Sequence, residues 1–436
     1  MWTRSLSWSS GHSILESLIS TKFSLETCRT STESLRLFFV GVPKVIIHYL
    51  LTAGLDGQQL PKESDVLAWF DGIIPKLEAF VSDRIPTLTT RRKLLAQPRT
   101  PLIGSTGKRS MDIGFVNSDI TYKPDSEDSR YRWSHILVAG ELKSNPKADT
   151  ASIAWIDLAR YVREVFGAQE TRRFVLGFTL CGSLMRVWEF DRLGGVASEQ
   201  FDINKEDGGL QFVTTILGFL LMNEEMLGFD PTIRASGDVE YIDIERNDKI
   251  ERLIIDEVMR RAPCIAGRAT VCWRAHRKED PQRPLVIKDS WQYPDRDEEG
   301  ELLRDATERG VANIARYYHH ETVRVQGVND DIQQSIRKGL DVTKAANCRL
   351  GRATPQSSAS ASVSRQERSS SAGVKRPSSD TDAAPPPTKR SRPVSSKRKH
   401  KPGAPASCSS RLWKANLQGK LPQGATLCAR RLRRRT

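Results

Sequence analysis

Apolar residues recur at helical spacing between residues 63 and 85, in the segment ESDVLAWFDGIIPKLEAFVSDRI. Pro75 interrupts this segment, and a proline inside a helix lacks an amide hydrogen and clashes with the preceding turn. The pattern therefore predicts two short helices that meet at Pro75, within a helical N-terminal region over residues 36–99. Residues 1–35 are rich in Ser and Thr without periodicity and are predicted to be disordered.

Five short apolar runs after residue 100 are typical of β-strands, and they lie at residues 111–116, 135–143, 172–182, 184–192 and 197–203. The segment between the second and third runs predicts a helix with Asp149 as its N-cap. Its apolar face is predicted to consist of Ile153, Ile156, Tyr161, Val165 and Phe166. With a buried helix over residues 209–229, the pattern predicts a mixed-sheet α/β domain over residues 100–235.

A second group of strand-like runs begins after residue 236. Two runs flank Asn247 and Asp248, which suit a hairpin turn, and another pair is predicted at residues 264–276 and 284–291. A helix over residues 297–310 and a strand-like run over residues 313–325 follow them. The chain is thus predicted to be α+β, with a second sheet over residues 236–345. Ser, Pro and basic residues then dominate residues 346–436, which are predicted to be a disordered basic tail.

The charge distribution separates this tail from the rest of the chain. Of the net charge of +14, residues 352–436 carry +17, from 20 basic and 3 acidic residues, so residues 1–351 carry −3. The body offers no electrostatic case for wrapping nucleic acid, although the tail can bind polyanions non-specifically. The apolar run 35–51 contains four interrupting residues and is shorter than the roughly 20 residues of a spanning helix. We expect no membrane contact.

Two carboxylates and a lysine are the first candidates for chemistry. Asp112 opens the first strand-like run, and Glu141 and Lys143 share one face of the second because they are two residues apart. Carboxylate oxygens suit Mg²⁺, and a nearby ammonium group can orient water or stabilise charge on a phosphate. The simpler alternative is a strand-end ion pair between Glu141 and Lys143, with Asp112 at a turn.

The order of these elements resembles the PD-(D/E)xK restriction-endonuclease-like fold over about residues 108–205. The resemblance also takes in Arg160 and Tyr161 of the intervening helix. It implies Mg²⁺-dependent cleavage of phosphodiesters, with Asp112 and Glu141 as metal ligands and Lys143 beside them.

A second candidate site lies in the second sheet. The strand-like run Val286-Ile287-Lys288 is followed eleven residues later by Glu299, at the start of a predicted helix. This is the local pattern of a protein-kinase small lobe, in which a strand lysine contacts phosphates and pairs with a helix glutamate. Glu298 is the alternative partner of Lys288. The preceding hairpin has only Gly267 to cover phosphates, and the alternative interpretation is a buried strand whose lysine reaches solvent.

Longer strings strengthen the second pattern. The chain resembles the fungal-type protein kinase family over about residues 130–345, in runs that include RRAPCIAGRATVCWRAH, LVIKDSWQYPDRDEEGELL and VANIARYYHHETV. The resemblance implies ATP-dependent Ser/Thr phosphorylation with Mg²⁺. It places Lys288 on the phosphates, Gly267 in the covering loop and Glu299 beside the lysine. It also implies a large lobe with an H-R-D catalytic loop and a D-F-G-like metal-binding Asp.

The sequence departs from that family pattern in its catalytic motifs. It contains no His-Arg-Asp and no Asp-Phe-Gly, and the nearest match, residues 276–280 (HRKED), precedes Lys288. Phosphoryl transfer depends on positioning and charge stabilisation by those groups. The leading hypothesis is therefore a kinase-like protein that is catalytically incomplete, with a truncated kinase domain over residues 236–345. The alternatives are a Mg²⁺-dependent nuclease and a non-enzymatic nuclear interaction scaffold.

The basic tail contains a possible address for nuclear import. Two clusters separated by twelve residues match a bipartite import signal, formed by Lys375, Arg376, Lys389, Arg390 and Arg392. We expect a nuclear import receptor as a partner and a nuclear location, with the cytoplasm as the alternative. The other interpretation is a solvated tail that binds polyanions weakly. The sequence indicates no protein substrate.

Overall fold

The structure is a computed structural model that describes residues 4–5, 62–84, 92–105, 107–120, 130–293, 296–342 and 426–434. All of them belong to a unit made of Met1–Cys348 and Gln418–Thr436, whereas Arg349–Leu417, the second unit, contains none of them. The predicted import signal and the apolar run 35–51 lie outside the described residues. Among the described residues, no helix is long and apolar enough to cross a membrane.

The described residues of the first part of the chain form an eight-stranded mixed sheet and three α-helices. The elements are β1 (Arg4–Ser5), α1 (Glu63–Arg84), β2 (Arg92–Leu95), β3 (Ile113–Asn117), β4 (Val138–Lys143), α2 (Ala154–Ala168), β5 (Val175–Cys181), β6 (Leu184–Asp191), β7 (Gly194–Ala197), β8 (Phe201–Asp202) and α3 (Glu206–Leu221). The strand order is β1-β7-β6-β5-β4-β3-β2, and β8 pairs with β6. Strands β4 and β5 are parallel because α2 connects them, and β1 is parallel to β7.

Helices cover both faces of this sheet. On one face, the ring of Phe178 in β5 contacts Phe70 of α1 and Phe219 of α3, with ring centroids 6.2 and 6.0 Å apart. On the other face, Trp188 of β6 meets Trp155 of α2, at 5.3 Å between centroids. All seven residues of β5 are consequently buried, as expected for a strand that packs on both sides.

Three local predictions in this domain are wrong. Pro75 lies inside a single 22-residue helix, because apolar residues before and after it, Phe70 and Leu77 among them, pack into one continuous core. Asp149 does not cap α2. Its carboxylate accepts a hydrogen bond from Trp155 Nε1 at 2.5 Å and pairs with Arg186 at 2.6 Å, and the N-cap is Ile153.

The apolar face of α2 is also rotated from the predicted one. Ile153 and Ile156 are 42% and 38% exposed, and the buried face is instead formed by Trp155, Leu158, Ala159, Val162, Val165 and Phe166. The predicted and the observed face share Val165 and Phe166, so the wrongly placed residues, Ile153 and Ile156, lie at the start of the helix.

The second part of the chain forms another eight-stranded sheet. Its elements are β9 (Ile233–Ser236), β10 (Val239–Arg246), β11 (Lys249–Arg261), β12 (Val271–Arg277), β13 (Asp280–Gln292), α4 (Glu299–Glu308), β14 (Arg316–Tyr317), β15 (His320–Thr322) and β18 (Thr426–Arg434). A separate small hairpin, β16 (Arg324–Val325) with β17 (Val328–Asn329), precedes a π-helical turn (Ile332–Ile336). Strands β9 to β13 form an antiparallel meander. The predicted hairpin turn is confirmed, since Asn247 and Asp248 have φ of 52° and 58°.

Two predictions of disorder are wrong where the structure describes strands. Residues 426–434, within the tail predicted over 346–436, form β18, which pairs in parallel with β13 on one side and with β14 and β15 on the other. Without β18, β13 would be an edge strand, and the main-chain groups of such an edge can bind a further strand. Arg4–Ser5, within the predicted disordered residues 1–35, pairs with β7. The rest of both segments lies outside the described residues, and β2 occupies part of the region 36–99 predicted to be helical.

After β17 the chain returns to the first sheet and is held there by two buried ion pairs. Asp330 binds the Arg173 guanidinium with both carboxylate oxygens, and Arg337 binds Asp191 in the same way at 2.5 and 2.9 Å. Both carboxylates are fully buried. Ile332 joins the core between α1 and α3. The two sheets are therefore joined through this returning segment.

Candidate functional site

The carboxylate site is built where β3 and β4 lie side by side. Ile113 pairs with Gly140, so Asp112 and Glu141 come next to each other at the same end of these antiparallel strands. The main-chain amide of Leu142 donates to Asp112 Oδ2 at 3.0 Å, and the Tyr161 hydroxyl of α2 donates to Asp112 Oδ1 at 3.4 Å. The helix that crosses from β4 to β5 thus faces the two carboxylates.

Lys143 lies between two acidic groups. Its ammonium forms an ion pair with Glu141 on the same strand and a second one with Asp157 of α2, at 3.2 Å. Asp157 is in turn paired with Arg160 at 2.6 Å. The ion pair of Glu141 and Lys143 is therefore present, and it is part of a larger network.

Burial sets the electrostatics of this network. Glu141 is only 1% exposed, and burial together with the neighbouring Asp112 charge raises its pKa to about 7. Burial also raises the pKa of Asp112. For Lys143, burial alone would lower the pKa, but its contacts with Glu141 and Asp157 raise the pKa above its usual value. Lys143 is therefore a cation at neutral pH.

A cavity of about 330 Å³ opens in front of these groups, and it is lined by Lys108, Arg109, Ser110, Asp112, Glu141, Lys143, Asp157, Arg160 and Tyr161. Four of these residues are basic and three are acidic, so the lining carries a small positive excess that suits an anion such as phosphate. The buried Glu141 Oε2 has no hydrogen-bond partner among the described residues. A divalent cation would satisfy that oxygen, so the donor chemistry fits Mg²⁺.

The fit to Mg²⁺ has a limit. In the part of the chain that the structure describes, no group of three or more His, Cys, Asp or Glu side chains is arranged to hold a metal ion. An ion at Asp112 and Glu141 would thus take its other ligands from main-chain oxygens and water, which Mg²⁺ commonly retains. The sequence analysis missed Asp157. Its spacing of three and four residues from Arg160 and Tyr161 places the three on one face of α2, which is the pattern that could have revealed it.

The second candidate site is built from β13 and α4. Lys288 lies on β13 opposite Cys272 of β12, on the face away from the buried Trp273 and Ile287. Glu299 is the first residue of α4. The structure brings the two together, because the Lys288 ammonium forms an ion pair with Glu299 Oε1. The alternative partner, Glu298, lies instead 3.5 Å from His320 Nε2.

Close packing fixes the start of α4 in this position. A Cβ added to Gly300 would lie 2.3 Å from the His320 ring, so only glycine allows the first turn of α4 to approach β15 this closely. His320 also pairs with Glu301 at 3.1 Å. Glu299 is therefore directed toward β13 by contacts on the opposite side of the helix.

The loop of residues 262–270, between β11 and β12, lies against the same ion pair. Gly267 has a φ of +138°, a backbone conformation that favours glycine, and its amide donates to Arg192 O at 3.0 Å. Arg268 Nη2 contacts Glu299 Oε2 at 3.0 Å. Sequence analysis did not identify Arg268, which is adjacent to the one glycine it selected.

The residues around Lys288 offer donors that suit a phosphate group. An ammonium and a guanidinium group on one carboxylate are suitable donors for the phosphates of ATP. In the HRKED segment, His276 contacts Asp256 and Arg277 pairs with Asp280, within the β11-β12-β13 meander. No Mg²⁺-binding carboxylate cluster is found near Lys288 among the described residues.

The chain is similar to known proteins at the level of a family. The model of the fungal protein kinase family matches residues 110–434, about three-quarters of the chain. No curated protein and no solved structure matches the chain. The matched range includes both candidate sites and ends at the last residue of β18.

Proposed function

The chain belongs to the fungal protein kinase family, and from this premise we propose that its second sheet binds the phosphates of ATP through Lys288, with Glu299 as the residue that holds the lysine. The observation that carries the proposal is the ion pair between Lys288 of β13 and Glu299 of α4. Lys288 is 22% exposed, so its ammonium can be reached by a ligand while its stem remains packed.

The residues around Lys288 account for binding and orientation. Bound ATP would supply the transferable phosphoryl group, and the family implies Mg²⁺ with it. The ion pair with Glu299 already restricts the Lys288 side chain, so less rotamer entropy is lost when a phosphate binds. Main-chain pairing with β12 holds the strand itself in place.

The proposed activity is nucleotide binding alone. The chain contains no His-Arg-Asp and no Asp-Phe-Gly, so it lacks the base and the metal-binding aspartate on which transfer depends. We therefore propose that these residues, as they stand, bind a nucleotide without transferring its phosphoryl group. The chain would act as a kinase-like binding protein.

Replacing Lys288 by Ala tests the proposal. Hydrogen bonds to a charged group contribute about 1.5–3 kcal/mol, so we expect the affinity for ATP, measured by calorimetry, to fall at least about tenfold. Lys278→Ala is the matched control, because Lys278 is an exposed lysine at the β12–β13 turn of the same sheet. Equal ATP affinity in the Lys288→Ala variant and the unchanged chain would contradict the proposal, as would the absence of ATP binding by the unchanged chain.

A second candidate function is Mg²⁺-dependent cleavage of phosphodiesters at Asp112, Glu141 and Lys143. The observation that favours it is the buried Glu141 Oε2, which lacks a hydrogen-bond partner among the described residues and belongs to a residue that lines a cavity with four basic residues. The Lys143 ammonium would stabilise charge on the phosphate, and Asp157 would position it. The restriction-endonuclease-like fold proposed for the first sheet is supported by its strand, helix and strand order.

Glu141→Gln tests this second function. It keeps the shape of the side chain but removes its charge, so we expect nicking of plasmid DNA with Mg²⁺ to slow by about 100-fold, equivalent to a few kcal/mol of lost metal-dependent stabilisation. Glu257→Gln, at an exposed position of β11, is the control. Nicking that is equal in both variants, or absent from the unchanged chain, argues against a nuclease. A chain that shows neither ATP binding nor nicking would favour the scaffold hypothesis.

A further inference from the structure

Two cations share the carboxylate of Glu299. Lys288 occupies Oε1, and Arg268, from the loop of residues 262–270, occupies Oε2 at 3.0 Å. The three side chains carry a net charge of +1, and all are accessible, with exposures of 22% for Lys288, 48% for Arg268 and 38% for Glu299. An anion that enters here meets two positive groups that are already adjacent.

The main chain around Arg268 is anchored on both sides. The preceding amide, of Gly267, donates to Arg192 O at 3.0 Å, and the carbonyl of Arg268 accepts from Trp291 N at 2.8 Å. Arg192 also donates from Nη1 to Cys264 O at 2.8 Å. Ile265 is 1% exposed and packs into the core beside α2. The loop is thus held to the first sheet through Arg192 and to β13 through Trp291, while the Arg268 side chain remains half exposed beside Glu299.

This anchoring changes which groups of the loop can bind a phosphate. Loops that cover phosphates commonly do so with main-chain amides, which glycine leaves accessible. Here the Gly267 amide is already bonded to Arg192 O, and the residue after it has a long charged side chain. A guanidinium group binds phosphate with two parallel hydrogen bonds and needs no access to the main chain.

We propose that Arg268 is a second phosphate-binding residue, which exchanges its contact with Glu299 for a contact with the phosphate chain of the nucleotide. This inference rests on the proposed binding of ATP at Lys288. When Arg268 gives up its contact with Glu299 Oε2, the ion pair between Lys288 and Glu299 Oε1 remains. The anchored main chain limits the movement to the side chain of Arg268.

Arg268 should contribute to the affinity only for ligands that carry phosphates. The Arg268→Ala variant of the full chain should bind ATP and inorganic tripolyphosphate about tenfold more weakly, since charge-assisted hydrogen bonds are lost. Its affinity for adenosine should not change. Arg268→Lys should recover part of the loss, because it restores the charge without the paired hydrogen bonds. All affinities are measured by calorimetry, and melting temperatures verify that each variant is folded.

Arg274→Ala is the matched control, because Arg274 is an exposed arginine of β12 whose side chain lies 3.5 Å from Glu257. ATP affinity that is lost in Lys288→Ala but unchanged in Arg268→Ala would overturn the role of Arg268 and leave the proposed function intact. Tighter ATP binding by Arg268→Ala would also overturn it, since Arg268 would then only compete for Glu299. The absence of ATP binding by the unchanged chain would overturn both proposals.

Discussion

Replacing Arg337 by Met is expected to lower the free energy of unfolding by about 3–5 kcal/mol, because it leaves a buried carboxylate without its cation. Asp191 is fully buried at the end of β6, and Arg337 binds both of its carboxylate oxygens, at 2.5 and 2.9 Å. Methionine fills a similar volume but offers no hydrogen-bond donor. The cost is that of a desolvated charge rather than of lost packing.

The Asp191 carboxylate cannot easily lower this cost by moving toward water. Its Oδ1 also accepts hydrogen bonds from the amides of Leu193, at 2.7 Å, and Gly194, at 3.1 Å, which form the turn between β6 and β7. The carboxylate is therefore fixed by the fold of the first sheet, whereas Arg337 comes from the returning segment. Removing the charge of the partner should recover stability, so Asp191→Asn combined with Arg337→Met is expected to be more stable than Arg337→Met alone.

Urea unfolding of the full chain, followed by circular dichroism, measures the effect. Arg309→Met is the control, because Arg309 forms an ion pair with Asp305 at 2.8 Å on the surface of α4, where both side chains are more than half exposed. Such pairs contribute about 1 kcal/mol or less. Similar losses in the two variants would mean that the buried pair contributes no more than a surface pair.

The local parts of both candidate sites could be predicted from the sequence. Glu141 and Lys143 share a face because strands alternate with a period of two residues, and that geometry is independent of the rest of the fold. Lys288 and Glu299 come from consecutive elements joined by a short connection, so their meeting required only a strand and the helix after it. The structure brings both pairs together.

Contacts between distant parts of the chain were not predictable in this way. Arg268 reaches Glu299 because the loop that carries it is anchored to the first sheet, and no pattern near Gly267 indicates that anchor. Arg173 and Asp330 are 157 residues apart. Charged residues usually lie on the surface, so their type alone does not indicate that tertiary packing buries these two as a pair. Asp149 is a similar case, since the contacts with Trp155 and Arg186 outweigh its propensity to cap a helix.

The pairing of β18 is another contact between distant parts of the chain. Composition favoured disorder over residues 346–436, and a nine-residue strand after a long Ser- and Pro-rich segment has no local pattern that would predict its partner. Pairing with β13 on one side and with β14 and β15 on the other places it within the sheet rather than at its edge. The match to the fungal protein kinase family extends to the same residues.

Replacing Leu427 and Leu432 by Pro is expected to break the pairing of β18, which connects β14 and β15 to β13. In parallel pairing, each proline removes a main-chain donor from the ladder, and a proline within a regular element costs about 3 kcal/mol or more. Leu427 pairs with Val286 and Tyr317, and Leu432 pairs with Ser290 and Thr322, so the two substitutions affect both sides of the strand.

Hydrogen exchange of the full chain distinguishes this loss of strand pairing from the effect of losing the two leucine side chains. The matched control carries alanine at the same two positions, which keeps both amide hydrogens. We expect the amides of β15 and of the second half of β13 to lose protection in the proline variant and to keep most of it in the alanine variant. Because Lys288 lies on that half of β13, opposite Arg430 in the ladder, the proline variant should also bind ATP more weakly. Equal protection in the two variants would mean that β18 does not hold this sheet together.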